Sequence, residues 1–147
     1  MSDNMMNGKL PAELDGKALL EEARIARQNA YAPYSGFAVG AALLTKDGKI
    51  YRGCNIESSV FSPSLCAERV ALAKAISEGE KEFAAIAIVG GPACIEPHSP
   101  CFPCGVCRQV LSEHVDGSAF RIVVEEDGEA VSYTLAELLP KTFVFEG

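Results

Sequence analysis

The residues best suited to chemistry in this chain are its cysteines. There are six among 147 residues: Cys54, Cys66, Cys94, Cys101, Cys104 and Cys107. Three of them, Cys101, Cys104 and Cys107, fall within one short stretch. Two cysteines at i and i+3 lie on one side of a helical turn, where both sulfurs can reach one ion. Pro103-Cys104-Gly105-Val106-Cys107 holds such a pair, and Cys66-Ala67-Glu68 brings a third thiol from elsewhere in the chain. Three protein ligands leave a tetrahedral zinc with one open position, which is the arrangement of a catalytic site; a structural site takes four. Glu68 is two residues from Cys66, so it can stand beside the open position without ligating the metal. One carboxylate there can take a proton from a zinc-activated water and return it to a leaving group. Three thiolates put the site at a net negative charge, which blunts Lewis acidity. Arg69, next to Glu68, can donate hydrogen bonds to the sulfurs and offset that charge.

The spacing leaves one alternative open. Pro100-Cys101-Phe102-Pro103-Cys104 is also Pro-Cys-x-x-Cys, so the pairs Cys101/Cys104 and Cys104/Cys107 are equally good ligand pairs on spacing. A lone Cys-x-x-Cys also fits a redox-active or an accidental pair; the separate Cys-Ala-Glu favours zinc. Cys54 and Cys94 read as ordinary small residues, and His98 and His114 as solvated or capping residues rather than ligands.

Helix starts are suitable places for thiolates, because unsatisfied N–H groups and the helix dipole favour negative charge there. Two of the expected helices begin at these motifs, over residues 66–78 and 104–114. For the first, Ser64 is the expected N-cap and Gly79 the stop. A helix over 15–29 precedes them, with Leu19, Ala23, Ala26 and Ala30 at helical spacing and Glu21, Glu22, Arg24 and Arg27 on its other faces. Strands are expected over 37–44 and 50–54, joined by an Asp47-Gly48 hairpin turn. The wholly apolar run 84–89, ended by Gly90-Gly91-Pro92, reads as a central strand covered on both faces. Strands over 120–124 and 131–133 follow. Thr134 and Glu137 form a capping box for a last short helix ended by Pro140. The order α-β-β-α-β-α-β-β-α indicates a mixed sheet between helical layers.

Length and composition agree with one domain spanning residues 1–147, with residues 1–12 a flexible tail. Hydrophobic residues make up 48% and charged residues 22%, the balance of a globular protein able to build a core without disulfides. No apolar run is long enough for a membrane span, and the first eight residues lack the apolar stretch of a secretory signal. A net charge of −7 argues against a nucleic-acid partner, since phosphate binding is mostly cationic attraction. Clustered cysteines without a signal point to a reducing compartment, hence the cytoplasm.

With these residues in view, the chain resembles the small homotetrameric zinc-dependent cytidine deaminases. Cys-x-Glu followed by Pro-Cys-x-x-Cys is the known signature of zinc nucleobase deaminases. The resemblance extends over residues 31–143. It rests on Ala32-Pro33-Tyr34-Ser35-Gly36-Phe37 with Val39-Gly40-Ala41-Ala42, and on Gly53-Cys54-Asn55-Ile56-Glu57. It continues through Cys66-Ala67-Glu68-Arg69, Pro103-Cys104-Gly105-Val106-Cys107-Arg108-Gln109-Val110-Leu111 and Leu138-Leu139-Pro140-Lys141-Thr142-Phe143. It implies a three-layer α/β/α sandwich around a mixed five-stranded sheet. It implies hydrolytic deamination of cytidine and deoxycytidine to uridine and deoxyuridine, with ammonia released, in pyrimidine salvage. It implies one Zn²⁺ per chain on Cys66, Cys104 and Cys107, with Cys101 spare, and Glu68 as proton shuttle. Arg69 would support the sulfurs. Phe37, Asn55, Glu57 and Ala67 would meet the nucleoside, with Asn55 and Glu57 on the sugar hydroxyls, and Phe143 of a neighbouring subunit would close the pocket. Without the resemblance, Phe37 and Phe143 read as plain core packing.

The chain departs from the family at one end of the implied pocket. Where similar proteins read Asn-Ile-Glu-Asn-Ala-x-Tyr, this chain has Asn55-Ile56-Glu57-Ser58-Ser59-Val60-Phe61, and Cys101-Phe102 precedes the Pro-Cys motif. The altered sugar end keeps open a deaminase of another cytosine nucleoside, of the blasticidin antibiotic type. A non-catalytic zinc-stabilised subunit is the rival of another class, and the retained Glu68 argues against it.

Overall fold

The computed structural model describes residues 16–97 and 99–146. The expected tail, Asp15 and His98 lie outside them. Nine elements follow in chain order: α1 (Gly16–Arg27), β1 (Phe37–Thr45), β2 (Ile50–Cys54), α2 (Ala67–Ser77), β3 (Phe83–Pro92), α3 (Gly105–Ser112), β4 (Arg121–Glu126), β5 (Glu129–Thr134) and α4 (Leu135–Leu138). The strands form one mixed sheet in the order β2-β1-β3-β4-β5. Only the β3–β4 pair is parallel, and α3 makes the crossover between them.

Residue alternation along the strands sorts the core into two layers. Ala41, Leu43, Ile86, Ile88, Ile122 and Val124 face Ala71, Leu72, Ala75 of α2 and Leu111 of α3. Ala42, Leu44, Ala85, Ala87, Val89 and Val123 face Leu19, Leu20 and Ala23 of α1. Central β3 contributes to both, which is why its sequence is apolar without a break. The three-layer α/β/α arrangement expected from the residues and from the resemblance is the one observed. Each fully buried Leu, Ile or Phe contributes roughly 1.5–3 kcal/mol.

The Asp47-Gly48 turn joins β1 and β2 with Gly48 at φ 96°. A second two-residue turn, Asp127 (φ 53°) and Gly128 (φ 79°), joins β4 to β5. Both its residues are left-handed, as a type I′ hairpin requires. The capping box is present: the Thr134 hydroxyl accepts from Glu137 N and Glu137 Oε1 accepts from Thr134 N.

Four local expectations are corrected. Strand β3 runs on through Gly90 and Gly91 to Pro92, pairing with β1 as far as Phe37. Gly90 pairs with Val39 in the sheet, and the lack of a side chain there makes room for Cys101, whose Sγ a Cβ would meet at 2.7 Å. The N-cap of α2 is Cys66, not Ser64; the Ser64 hydroxyl instead accepts from Ser58 N at 2.9 Å and closes a loop. The charged residues of α1 do not merely decorate it. Arg27 donates to the carbonyls of Ala38, Gly91 and Pro92, Arg24 pairs with Glu96 and Glu125, and Glu22 pairs with Arg52. Lastly, α1 ends at Arg27, so Ala30 falls outside the helix.

Candidate active site

The site is built where α2 and α3 begin. Cys66 and Cys104 hold the same position, the N-cap, with extended backbone at φ −76°, ψ 153° and φ −68°, ψ 168°. Neither side chain caps its own helix. Both sulfurs are therefore free to meet a third party beside the unsatisfied N–H groups of a first turn. Cys107 is one turn further along α3 and fully buried. Gly53 sets the height of α2 over the sheet: a Cβ there would meet Ala67 O at 2.5 Å and Ala71 N at 2.5 Å. Ala67 itself is fully buried under that contact.

The three sulfurs of Cys66, Cys104 and Cys107 all lie within 4.8 Å of one another, and Cys66 and Cys104 are 3.6 Å apart. Zinc–sulfur bonds of about 2.3 Å at tetrahedral angles place sulfurs about 3.8 Å apart. The donor set and its spacing fit Zn²⁺. The open alternative in the sequence is resolved by position. Cys101 is outside the cluster, with its sulfur against Gly90 and its body packed on the core. Burial pushes its thiol up to about 11.

Charge within the cluster is shared. The hydrogen bond from Cys107 draws the Cys66 thiol down to about 5, against the cost of burial and with help from Arg69 and Cys104. The same bond to Cys66, with burial, holds the Cys107 thiol protonated. Metal binding needs all three thiolates and so releases protons. Arg69 Nη2 lies 3.6 Å from Cys66 Sγ and 3.5 Å from Ser64 O. Its Nε is buried without a hydrogen-bond partner.

Glu68 occupies the second helical position of α2 and is only 4% exposed. Burial raises its carboxyl to about 7 and the Cys66 charge adds to this, while its own backbone N–H and Arg69 oppose. A carboxyl of that pKa exchanges protons in both directions near neutral pH.

The residues implied for the sugar end are placed differently. Asn55, just beyond β2, spends both ends of its amide on β1: Oδ1 accepts from Val39 N at 2.9 Å and Nδ2 donates to Phe37 O at 2.8 Å. Glu57 Oε1 accepts from Tyr34 N at 2.9 Å and Ser35 N at 3.1 Å, and Oε2 accepts from Ser35 Oγ. These bonds, Ser35 Oγ first, hold the Glu57 carboxyl below its usual range. Phe37 begins β1 with 44% of its surface exposed. Ile56 and Leu65 exchange backbone hydrogen bonds at 3.0 and 2.8 Å, closing a loop over residues 57–64 that leads straight to Cys66. At its tip Phe61 is left-handed (φ 60°) and 70% exposed, and its ring meets Tyr34 edge-on at 6.2 Å. Phe143 lies on the exposed C-terminal segment, where its carbonyl accepts from Gln109 Nε2 at 3.1 Å. Cys54 is half-buried and Cys94 exposed, both away from the sulfur cluster.

Residues 15–123 match the model of the cytidine and deoxycytidylate deaminase zinc-binding region. The chain belongs to this deaminase family. A cytidine deaminase of Sporosarcina psychrophila is 45% identical over 88% of this chain and 92% of its own. The crystal structure of cytidine deaminase from Burkholderia pseudomallei superposes with a TM-score of 0.79 at 44% identity, over 88% of this chain and all of that one. A blasticidin-S deaminase of Bacillus cereus is 34% identical over 69% of this chain and 74% of its own. The deaminase fold and a zinc-dependent deaminase activity, expected from the motifs, are thereby established. Sequence reasoning passed over Tyr34 and Ser35 as partners of Glu57, and Arg108 as a bridge. Their bonds link residues up to 30 positions apart, which local spacing does not reveal.

Proposed function

We propose that this chain hydrolyses the C4–amino bond of cytidine and deoxycytidine, giving the uridines and ammonia. The observation that carries the reading is the buried carboxyl of Glu68, two residues from one member of a three-sulfur cluster whose spacing fits zinc. Cys66, Cys104 and Cys107 would hold the metal, which when bound supplies the Lewis acidity that brings a water's pKa near neutrality. Glu68 would take a proton from the water that attacks C4 and pass it to the neighbouring ring nitrogen, acting first as general base and then as general acid. Glu68 then carries the second proton, from the new hydroxyl to the amino group, and ammonia departs. Arg69, 3.6 Å from Cys66 Sγ, would donate to that sulfur and offset its charge. Asn55 and Glu57 retain lone pairs and an N–H for the sugar hydroxyls, and Phe37, exposed at the start of β1, would line the base, whereas the expected contact from Ala67 is not available because that residue is fully buried.

We further propose a single domain working as a homotetramer in the cytoplasm, in pyrimidine salvage, with Phe143 of a neighbour completing each pocket. Phe143 and Phe145 are 67% and 78% exposed in the chain by itself, and no helix among the described residues is long and apolar enough to cross a membrane. Light scattering that finds a fully active monomer contradicts the tetramer. Ammonia release across cytidine, deoxycytidine, cytosine, adenosine and blasticidin S tests the activity. Turnover of the first two supports it, and turnover of blasticidin S alone favours the second reading. The observation on that side is Phe61, which brings no hydroxyl to the sugar end.

A further inference from the structure

We infer that Arg108 is a positioning residue that couples the zinc-holding turn of α3 to the C-terminal segment. Its guanidinium makes two bonds in opposite directions: Nε donates to Pro103 O at 2.8 Å and Nη1 to Leu138 O at 2.7 Å. The Pro103 carbonyl belongs to the peptide bond that carries Cys104. Arg108 N donates to Cys104 O at 2.9 Å as the ordinary first-turn helix bond, so the backbone holds the peptide plane after this sulfur ligand and the guanidinium adds a hold on the plane before it. That fixes the extended N-cap backbone from which Cys104 reaches the cluster. On the other side, Leu138 ends α4 and packs on the core beside Leu139. The chain then turns through Lys141 (φ 56°), and the next residue along α3, Gln109, holds Phe143 O. Two consecutive residues after the last sulfur ligand thus latch residues 138–143. Arg108 acts on both partners and Gln109 on the segment alone. A planar guanidinium spans two carbonyls at fixed geometry; a lysine ammonium is a point donor.

The inference rests on Cys66, Cys104 and Cys107 being zinc ligands, and the experiment separates the two. Full-length zinc-loaded parent, Arg108→Ala, Arg108→Lys and Gln109→Ala are compared by chelator competition for zinc and by tryptic cleavage after Lys141. Thermal unfolding is measured with and without zinc. Arg108→Ala is expected to lose ~10–100-fold in zinc affinity, as when a partner of a metal ligand is removed. It should also be cut faster at Lys141, and zinc should raise its Tm by less than the parent's. Gln109→Ala should be cut faster with zinc affinity within twofold of the parent. If Arg108→Ala does not fold, Arg108→Lys carries the same comparison, with losses in the same direction. Unchanged zinc affinity, unchanged cleavage, or an equal fall in Tm with and without zinc in the Arg108 variants overturns the coupling alone. A parent chain that binds no zinc overturns the ligand assignment and the coupling with it.

Discussion

The two ends of the site are built on opposite plans. At the metal end the side chains face one another: three sulfurs within 4.8 Å, with Glu68 buried beside them. Cys66 and Cys104 stand at helix N-caps without capping their helices, so their sulfurs are free for the cluster. At the sugar end the polar side chains face their own backbone. Asn55 clamps the start of β1 and Glu57 caps the turn at Tyr34 and Ser35. A change at the metal end takes a ligand or the carboxylate from the cluster; a change at Asn55 or Glu57 also loosens the backbone that these side chains hold.

The sharpest way to break this contrast is to exchange two cysteines of one motif. Cys107→Ser is expected to empty the zinc site and to cut deamination by more than about a hundredfold, since losing a mere partner of a ligand already costs 10–100-fold. Cys101→Ser should keep about one zinc per chain and most activity. Metal analysis beside ammonia release checks both. Retention of zinc by the Cys107 variant and its loss by the Cys101 variant would reverse the ligand assignment.

A smaller effect tests the sugar end. Glu57→Gln keeps the shape but gives up the charge that gathers three donors. Losing charge-assisted hydrogen bonds of this kind is expected to lower kcat/KM for cytidine roughly ten- to a hundredfold. Zinc content should not change. Faster proteolysis in the 57–64 loop should accompany the loss, and an intact loop would mean that Glu57 has no backbone duty.

The smallest expected change is at Phe61. Phe61→Tyr should raise kcat/KM for cytidine by roughly two- to tenfold, the worth of one neutral hydrogen bond, and leave 5′-deoxycytidine nearly unchanged. Equal effects on both compounds would mean that position 61 does not read the 5′-hydroxyl.

How far the sequence could be read followed from the range of the forces involved. Features set within a few residues were legible: the Thr134–Glu137 capping box, the Asp47-Gly48 turn and the apolar run of β3 all stand where their local chemistry puts them. The zinc turn at Cys104 and Cys107 was visible as spacing, but spacing alone could not choose between Cys101 and Cys107. That choice depends on Gly90, a residue from another element, leaving room for the Cys101 sulfur. Ser64 had the right chemistry for an N-cap and lost the place to Cys66, because its hydroxyl is taken by Ser58 N. Arg27 read only as a charge on an outer face of the first helix and Arg108 only as part of a motif, yet both spend their guanidinium groups on distant carbonyls. Such long-range bonds leave no periodic trace.

In the proposed mechanism Glu68 moves the protons at a zinc held by Cys66, Cys104 and Cys107. Zinc-loaded Glu68→Gln tests it most directly, because the amide keeps the shape and cannot accept the water's proton. Metal content and steady-state ammonia release from cytidine are measured on the same preparation. Zinc should remain at about one per chain while kcat falls by ~10²–10⁴ or more, the worth of positioned acid–base catalysis. A variant that keeps its zinc and turns over within tenfold of the parent would remove Glu68 from the mechanism.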